Sequence, residues 1–209
     1  VTEIRTWATP HGDARLHVDR SRRPRATLFL QHGAGGGPEA PDLVALATML
    51  PPLGITVIRL EQPWRVAGRK VAPAPRILDE CAVAVVDRLR SRTPLVLGGR
   101  SAGARSACRT AHHLGASGVL ALSFPLHPPG KPEQSRLEEL TALAVPTVVV
   151  QGERDAFGTP AEFPPDQPLV VVPAADHGLK VPKRSGLTAD DVAQIVVESA
   201  LELIETRVL

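Results

Sequence analysis

Short runs of β-branched and aliphatic residues recur along the chain, at Ala26 to Gln31, Ile55 to Leu60, Leu95 to Leu97, Gly118 to Phe124, Thr147 to Gln151 and Leu169 to Val172. Apolar runs of this length, bounded by glycine, proline and charge, read as buried strands. Between them, Pro41 to Leu50, Ile77 to Arg90, Ala102 to Leu114, Gln134 to Leu143 and Ala189 to Arg207 mix apolar and polar residues in the manner of helices. In the last of these, Val192, Ile195, Val196, Ala200, Leu203 and Ile204 recur three and four residues apart, which predicts one buried helix face. Thr2 to Asp19 instead alternates around Pro10-His11-Gly12-Asp13, predicting an antiparallel hairpin at a sheet edge. Strands that alternate with helices require parallel crossovers, so the expected class is α/β, with helices on both faces of the sheet.

Composition narrows this picture. A chain of 209 residues, 43% of them hydrophobic, suits one domain spanning 1–209. The formal net charge of +2 is spread among interspersed acids and bases, which argues against nucleic acid as a partner. Only Cys81 and Cys108 are present, both in helix-like segments, so neither a disulfide framework nor a zinc pattern is expected and a reducing cytoplasm fits. No apolar run approaches the roughly 18 residues of a membrane helix, and Val1-Thr2-Glu3-Ile4-Arg5 lacks a secretory apolar region. Because the chain opens on valine, a removed leader stays open. Gln62 to Pro75 and Pro125 to Pro132 are proline-rich and read as loops at strand ends, where an open parallel sheet binds its ligand.

Chemistry concentrates at four such ends. Leu95-Val96-Leu97 runs into Gly98-Gly99-Arg100-Ser101-Ala102-Gly103 and then a helix. Read alone, Gly99 to Gly103 serves equally as a helix cap. With the strand before it and the helix after it, it reads as a turn presenting Ser101 as a nucleophile, with Gly99 and Gly103 small because two backbones nearly touch there. The helix start then aims the Ala102 N–H at the reacting centre as an oxyanion donor. Leu28-Phe29-Leu30-Gln31-His32-Gly33-Ala34-Gly35-Gly36-Gly37 ends a strand in a glycine-rich loop. It is no dinucleotide fingerprint, since Pro38 stands where the third glycine belongs, and no Walker loop, since no Gly-Lys-Ser/Thr follows. The Ala34 N–H is its candidate second oxyanion donor, and His32 braces the loop.

The third end carries Gln151-Gly152-Glu153-Arg154-Asp155, where Asp155 either caps the loop or orients an imidazole. The fourth carries Pro173-Ala174-Ala175-Asp176-His177, and His177 is the candidate base because imidazole accepts and returns a proton near neutral pH. After the fourth strand, Trp64 and Arg65 stand among further cations and are candidates for recognising an anionic or aromatic group, with solvated surface charge as the alternative. His127 is a candidate pocket wall or a loop brace. No cofactor is expected.

The order Ser101, Asp155, His177 and the loop His32 to Gly35 resemble the α/β-hydrolase superfamily. The likeness extends from Ala26 to Lys180 and is nearest to small dienelactone-hydrolase-like enzymes. Gly152 to Asp155 and Phe124 to Glu133 resemble a branch of predicted bacterial hydrolases that includes the hydrolase-like domain of a chromatin-complex subunit. This resemblance implies an eight-stranded, mostly parallel sheet and a Ser-His-Asp triad acting on a small-molecule ester. It departs from dienelactone hydrolases proper, whose nucleophile is cysteine. About ten residues separate Phe124 from the next predicted helix, so no lid is expected. A thioesterase or peptidase with the same triad, and a non-catalytic hydrolase-like scaffold, are the competing readings; the oligomeric state is left open.

Overall fold

The structure, a computed structural model, describes residues 2–209. Val1, included above in the polar start of the chain, lies outside the described residues. Eight strands form one sheet: β1 (Glu3–Thr9), β2 (Gly12–Asp19), β3 (Ala26–Gln31), β4 (Ile55–Glu61), β5 (Leu95–Arg100), β6 (Gly118–Leu122), β7 (Thr147–Gly152) and β8 (Leu169–Val172). They lie in the order β1-β2-β4-β3-β5-β6-β7-β8. β2 pairs antiparallel with both β1 and β4, and the remaining pairs are parallel. The hairpin therefore forms one edge, as the alternation of Thr2 to Asp19 predicts.

Six helices connect and cover the sheet: α1 (Pro41–Met49), α2 (Pro63–Val66), α3 (Pro75–Leu89), α4 (Ala102–Thr110), α5 (Glu138–Thr141) and α6 (Ala189–Arg207). Two hydrophobic clusters result. One joins α3, α4 and α5 to one face through Cys81, Val85, Ala104, Ala107 and Leu140. The other joins α1 and α6 to the opposite face through Leu43, Leu46, Val192, Val196, Leu203 and Ile204. The spacing read from α6 thus marks a face that is buried in the second cluster. No helix among the described residues is long and apolar enough to cross a membrane.

Several boundaries differ from expectation; the helix expected over Ala102 to Leu114 ends at Thr110, where the chain passes into turns. β5 continues past Leu97 to Arg100, since Gly98 and Gly99 pair with Leu120 and Ala121 on β6. β6 stops at Leu122 because Ser123 turns into the left-handed region with φ 47°. The helix expected from Gln134 to Leu143 shrinks to α5. Its first part is bent into turns, with the Arg136 N–H donating back to the Leu126 carbonyl at 2.7 Å and the Ser135 hydroxyl accepting from Leu137 N–H at 3.2 Å. The Leu137 N–H, which a helix beginning at Gln134 would direct to the Glu133 carbonyl, is thereby taken by a local side chain. The loop Gln62 to Pro75 also holds the single turn of α2, which starts on Pro63, a residue suited to a first helical position.

Candidate active site

β3 lies between β4 and β5, and the chain leaves β3 toward one neighbour and arrives from the other side at β5, so the loops at their carboxyl ends diverge and open a crevice. Ser101 occupies that crevice. It caps α4 with φ 53° and ψ −115°, a conformation that side chains rarely adopt, and its N–H donates to the Leu122 carbonyl at 2.9 Å. The turn is tight enough to exclude Cβ atoms on either side. A Cβ on Gly99 would come 2.5 Å from the Gln31 carbonyl oxygen, and one on Gly103 would come 2.6 Å from the Gln31 carbonyl carbon. A Cβ on Gly33 would lie 3.3 Å from that of Ser101, so the glycine loop after β3 packs directly against the serine.

His177 reaches the serine from the loop after β8, with Nε2 at 2.9 Å from Ser101 Oγ. Its Nδ1 is 2.8 Å from Asp155 Oδ2 and 3.0 Å from Oδ1. A carboxylate only accepts, so Nδ1 carries the hydrogen, and Nε2 is left to accept from the Ser101 hydroxyl. Gly152, at the end of β7, makes the approach possible. A Cβ there would meet the Asp176 carbonyl oxygen at 2.5 Å, in the loop that bears His177.

Asp155 is fully buried, and donors converge on it to compensate that burial. Besides the imidazole, the Phe157 N–H donates to Oδ1 at 2.8 Å and the Gln151 amide donates to Oδ2 at 2.9 Å. The same Gln151 nitrogen is 2.8 Å from the Gly158 carbonyl, which fixes the amide relative to the turn. The Phe157 ring stacks on His177 with centroids 4.1 Å apart. Neither Gln151 nor Phe157 was singled out from the sequence. A polar residue closing an otherwise apolar strand was the available signal for Gln151, whereas Phe157 carried none.

The remaining candidates separate into two groups. Ala34 is exposed and follows Gly33, the residue packed against Ser101, and Ala102 is half-buried in the first position of α4. His32, by contrast, is a brace. Its Nδ1–H donates to the Gly33 carbonyl at 2.8 Å, its Nε2 accepts from the Gln62 N–H at 3.2 Å, and burial pushes its pKa down. Trp64 is buried with its ring edge-on to His32 at 5.6 Å, and Arg65 pairs with Glu39 at 3.1 Å. His127 has both ring nitrogens engaged, one with the Pro128 carbonyl and one with Glu162, each at 2.8 Å. Trp64, Arg65 and His127 are therefore held by neighbours from other loops, Trp64 and Arg65 by His32 and Glu39 after β3 and His127 by Glu162 after β7, an arrangement that corresponds to the bracing and surface-charge alternatives raised for them.

This fold and this crevice define an α/β-hydrolase. The model of the alpha/beta hydrolase domain family matches residues 24–205, and the chain belongs to that family. Solved structures share the fold at low identity. A lid-less α/β serine hydrolase from Xanthomonas campestris is 19% identical, with a TM-score of 0.74 over 98% of this chain and 94% of that one. Est1E from Butyrivibrio proteoclasticus is 17% identical, with a TM-score of 0.73 over 97% and 99%. A dienelactone hydrolase from Anabaena variabilis is 15% identical, with a TM-score of 0.74 over 100% and 99%.

Proposed function

We propose that this chain is a serine hydrolase that cleaves a carboxylic ester through Ser101, His177 and Asp155. The observation that carries the reading is the continuous hydrogen-bonded line from Ser101 Oγ to His177 Nε2 at 2.9 Å and from His177 Nδ1 to Asp155 at 2.8 Å, beginning on a strained turn. Ser101 Oγ attacks the ester carbonyl carbon as its proton passes to Nε2, while Asp155 holds the imidazole in that tautomer and stabilises its charged form. The carbonyl oxygen becomes an oxyanion facing the Ala34 and Ala102 N–H groups. Collapse breaks the bond to the alcohol, which leaves with the proton from Nε2. Water then attacks the acyl-enzyme, gives its proton to Nε2, and that proton returns to Ser101 as the acid departs.

The connection from β6 to α5 holds only Ser123 to Leu137, and Ser101 is half-exposed, which supports an open site for a small or surface-presented acyl group. A panel of short-chain ester, thioester and amide substrates tests the reading, with methyl ferulate added because Est1E has been captured with ferulic acid. Ester turnover that disappears in Ser101→Ala, together with fluorophosphonate labelling of the wild type alone, is the expected result. Turnover favouring thioester or amide would reassign the bond cleaved. Unchanged ester turnover in Ser101→Ala would overturn the nucleophile, and a wild type that neither labels nor turns over any member would point to a non-catalytic scaffold.

A further inference from the structure

Arg100 immediately precedes Ser101 and takes no part in the proton transfers just described. Its guanidinium nevertheless ties together the segments on which they depend. Nε donates to Asp42 Oδ2 at 2.7 Å, and Nη2 donates to the backbone carbonyl of His177 at 3.0 Å. The stem of the side chain runs along the glycine loop, where a Cβ on Gly33 would stand 3.7 Å from Arg100 Cγ.

The anchor for this guanidinium is itself fixed. Asp42 lies in the first turn of α1, whose positive end favours a carboxylate, and its Oδ1 accepts from the Leu43 N–H at 3.0 Å. The Asp42 side chain is 6% exposed and that of Arg100 18%, so solvent screens this pair far less than a surface pair. The His177 loop, in contrast, is a tight excursion. Left-handed residues flank it at Ala174 (φ 57°) and Leu179 (φ 52°), and Asp176 closes it internally by accepting from the Gly178 and Lys180 N–H groups. Arg100 donates to the base residue's own carbonyl, between those two turns.

We propose that Arg100, held by Asp42, is a positioning residue that keeps the His177 loop in register with the serine turn and the oxyanion loop. This rests on the serine-hydrolase reading above. The planar fork of arginine explains the choice of residue, because one rigid group points two donors at Asp42 and His177 together. A lysine ammonium is a single point on a flexible stem and can keep the ion pair without holding the loop in place.

The test uses the full chain and the best ester of the panel, comparing Arg100→Ala, Arg100→Lys, Asp42→Asn and the double variant Arg100→Ala/Asp42→Asn. A misplacement of about 1 Å can cost about a hundredfold, so kcat in Arg100→Ala is expected to fall by about ten- to a hundredfold. KM stays within about twofold, because no contact to substrate is lost. Asp42→Asn loses less, and the double variant is no worse than Arg100→Ala, the non-additivity of groups acting as a unit. Fluorophosphonate labelling slows in parallel, and added guanidinium at low concentration restores part of the activity of Arg100→Ala.

A kcat for Arg100→Ala within about twofold of wild type, measured well below its melting temperature, would overturn the proposal, as would a loss confined to KM. Should Arg100→Ala fail to fold, Arg100→Lys and Asp42→Asn decide by the same criteria. A wild type that fluorophosphonate does not label takes the serine-hydrolase reading and this proposal down together. A labelled wild type with an unimpaired Arg100→Ala removes only the role given to Arg100.

Discussion

Phe157 lies against the imidazole of His177, with ring centroids 4.1 Å apart and planes tilted by 30°, and its own N–H donates at 2.8 Å to the Asp155 carboxylate that His177 also bonds. One residue thus braces the Asp155 carboxylate through its backbone and the His177 imidazole through its ring. Such a stack contributes about 0.5–1.5 kcal/mol, and about 1.4 kcal/mol is tenfold in rate. Phe157→Ala is expected to lower kcat by about two- to tenfold, with Phe157→Leu between it and the wild type because the backbone donor and much of the bulk survive. Steady-state kinetics on the best ester check this. Asp155→Asn, which forces the wrong tautomer, is expected to lower kcat by about ten thousandfold.

The packing of Gly103 makes a prediction about stability rather than chemistry. A Cβ there would come 2.6 Å from the Gln31 carbonyl carbon, where α4 packs against the end of β3. Overpacking of this kind costs about 1–3 kcal/mol or more. Gly103→Ala is expected to lower Tm by about 5 °C or more in a domain of this size, read by circular dichroism. Gly36→Ala is the control, since nothing lies within 4 Å of its Cβ, and it should leave Tm nearly unchanged.

His127 and Glu162 predict a pH window. The hydrogen bond to the Pro128 carbonyl, with Glu162 beside it, raises the His127 pKa above its ordinary 6.5, while the Thr159 N–H and His127 lower that of Glu162 below its ordinary 4.5. The histidine's contribution is full below pH 6.5 and is lost as pH rises through the raised value. The carboxylate's contribution is full above pH 4.5 and is lost as pH falls through the lowered value. His127→Gln is therefore expected to show its largest loss of stability between pH 4.5 and 6.5, shrinking as pH rises through the raised His127 value. Urea unfolding of both proteins across that range gives the difference directly.

Burial pushes both thiols, Cys81 and Cys108, up to about 12. Neither presents a thiolate to reagent at pH near 8. Iodoacetamide is expected to leave both unmodified in the folded chain and to alkylate both in denaturant, as mass spectrometry would count. Rapid labelling under native conditions would contradict their placement on the buried faces of α3 and α4.

Much of this architecture could be read along the chain. Apolar runs bounded by punctuation locate β3 to β8, and alternation locates the hairpin, because burial on both faces or on one leaves different periods in the sequence. Ser101, Asp155 and His177 were legible for a related reason: in an open parallel sheet, chemistry belongs at the carboxyl ends of strands, and each of these follows one. Local bonding was less visible. The helix expected over Gln134 to Leu143 gave way to turns in which Leu137 bonds the Ser135 hydroxyl and Arg136 bonds Leu126, and the second of these pairs spans two segments that no local pattern joins.

What the sequence determined by itself, then, was the class of fold, the strands, and which residue types stand at their ends, all consequences of periodicity and local turn chemistry. Tertiary structure decided which of those residues meet. Gln151 bonding Asp155, Phe157 stacking on His177, and Arg100 reaching both Asp42 and the His177 carbonyl depend on the orientation of side chains brought together from different loops. It also decided that His32, Trp64 and His127 brace one loop against another, since a histidine or indole has the same letter whether its ring nitrogen faces solvent or a neighbour.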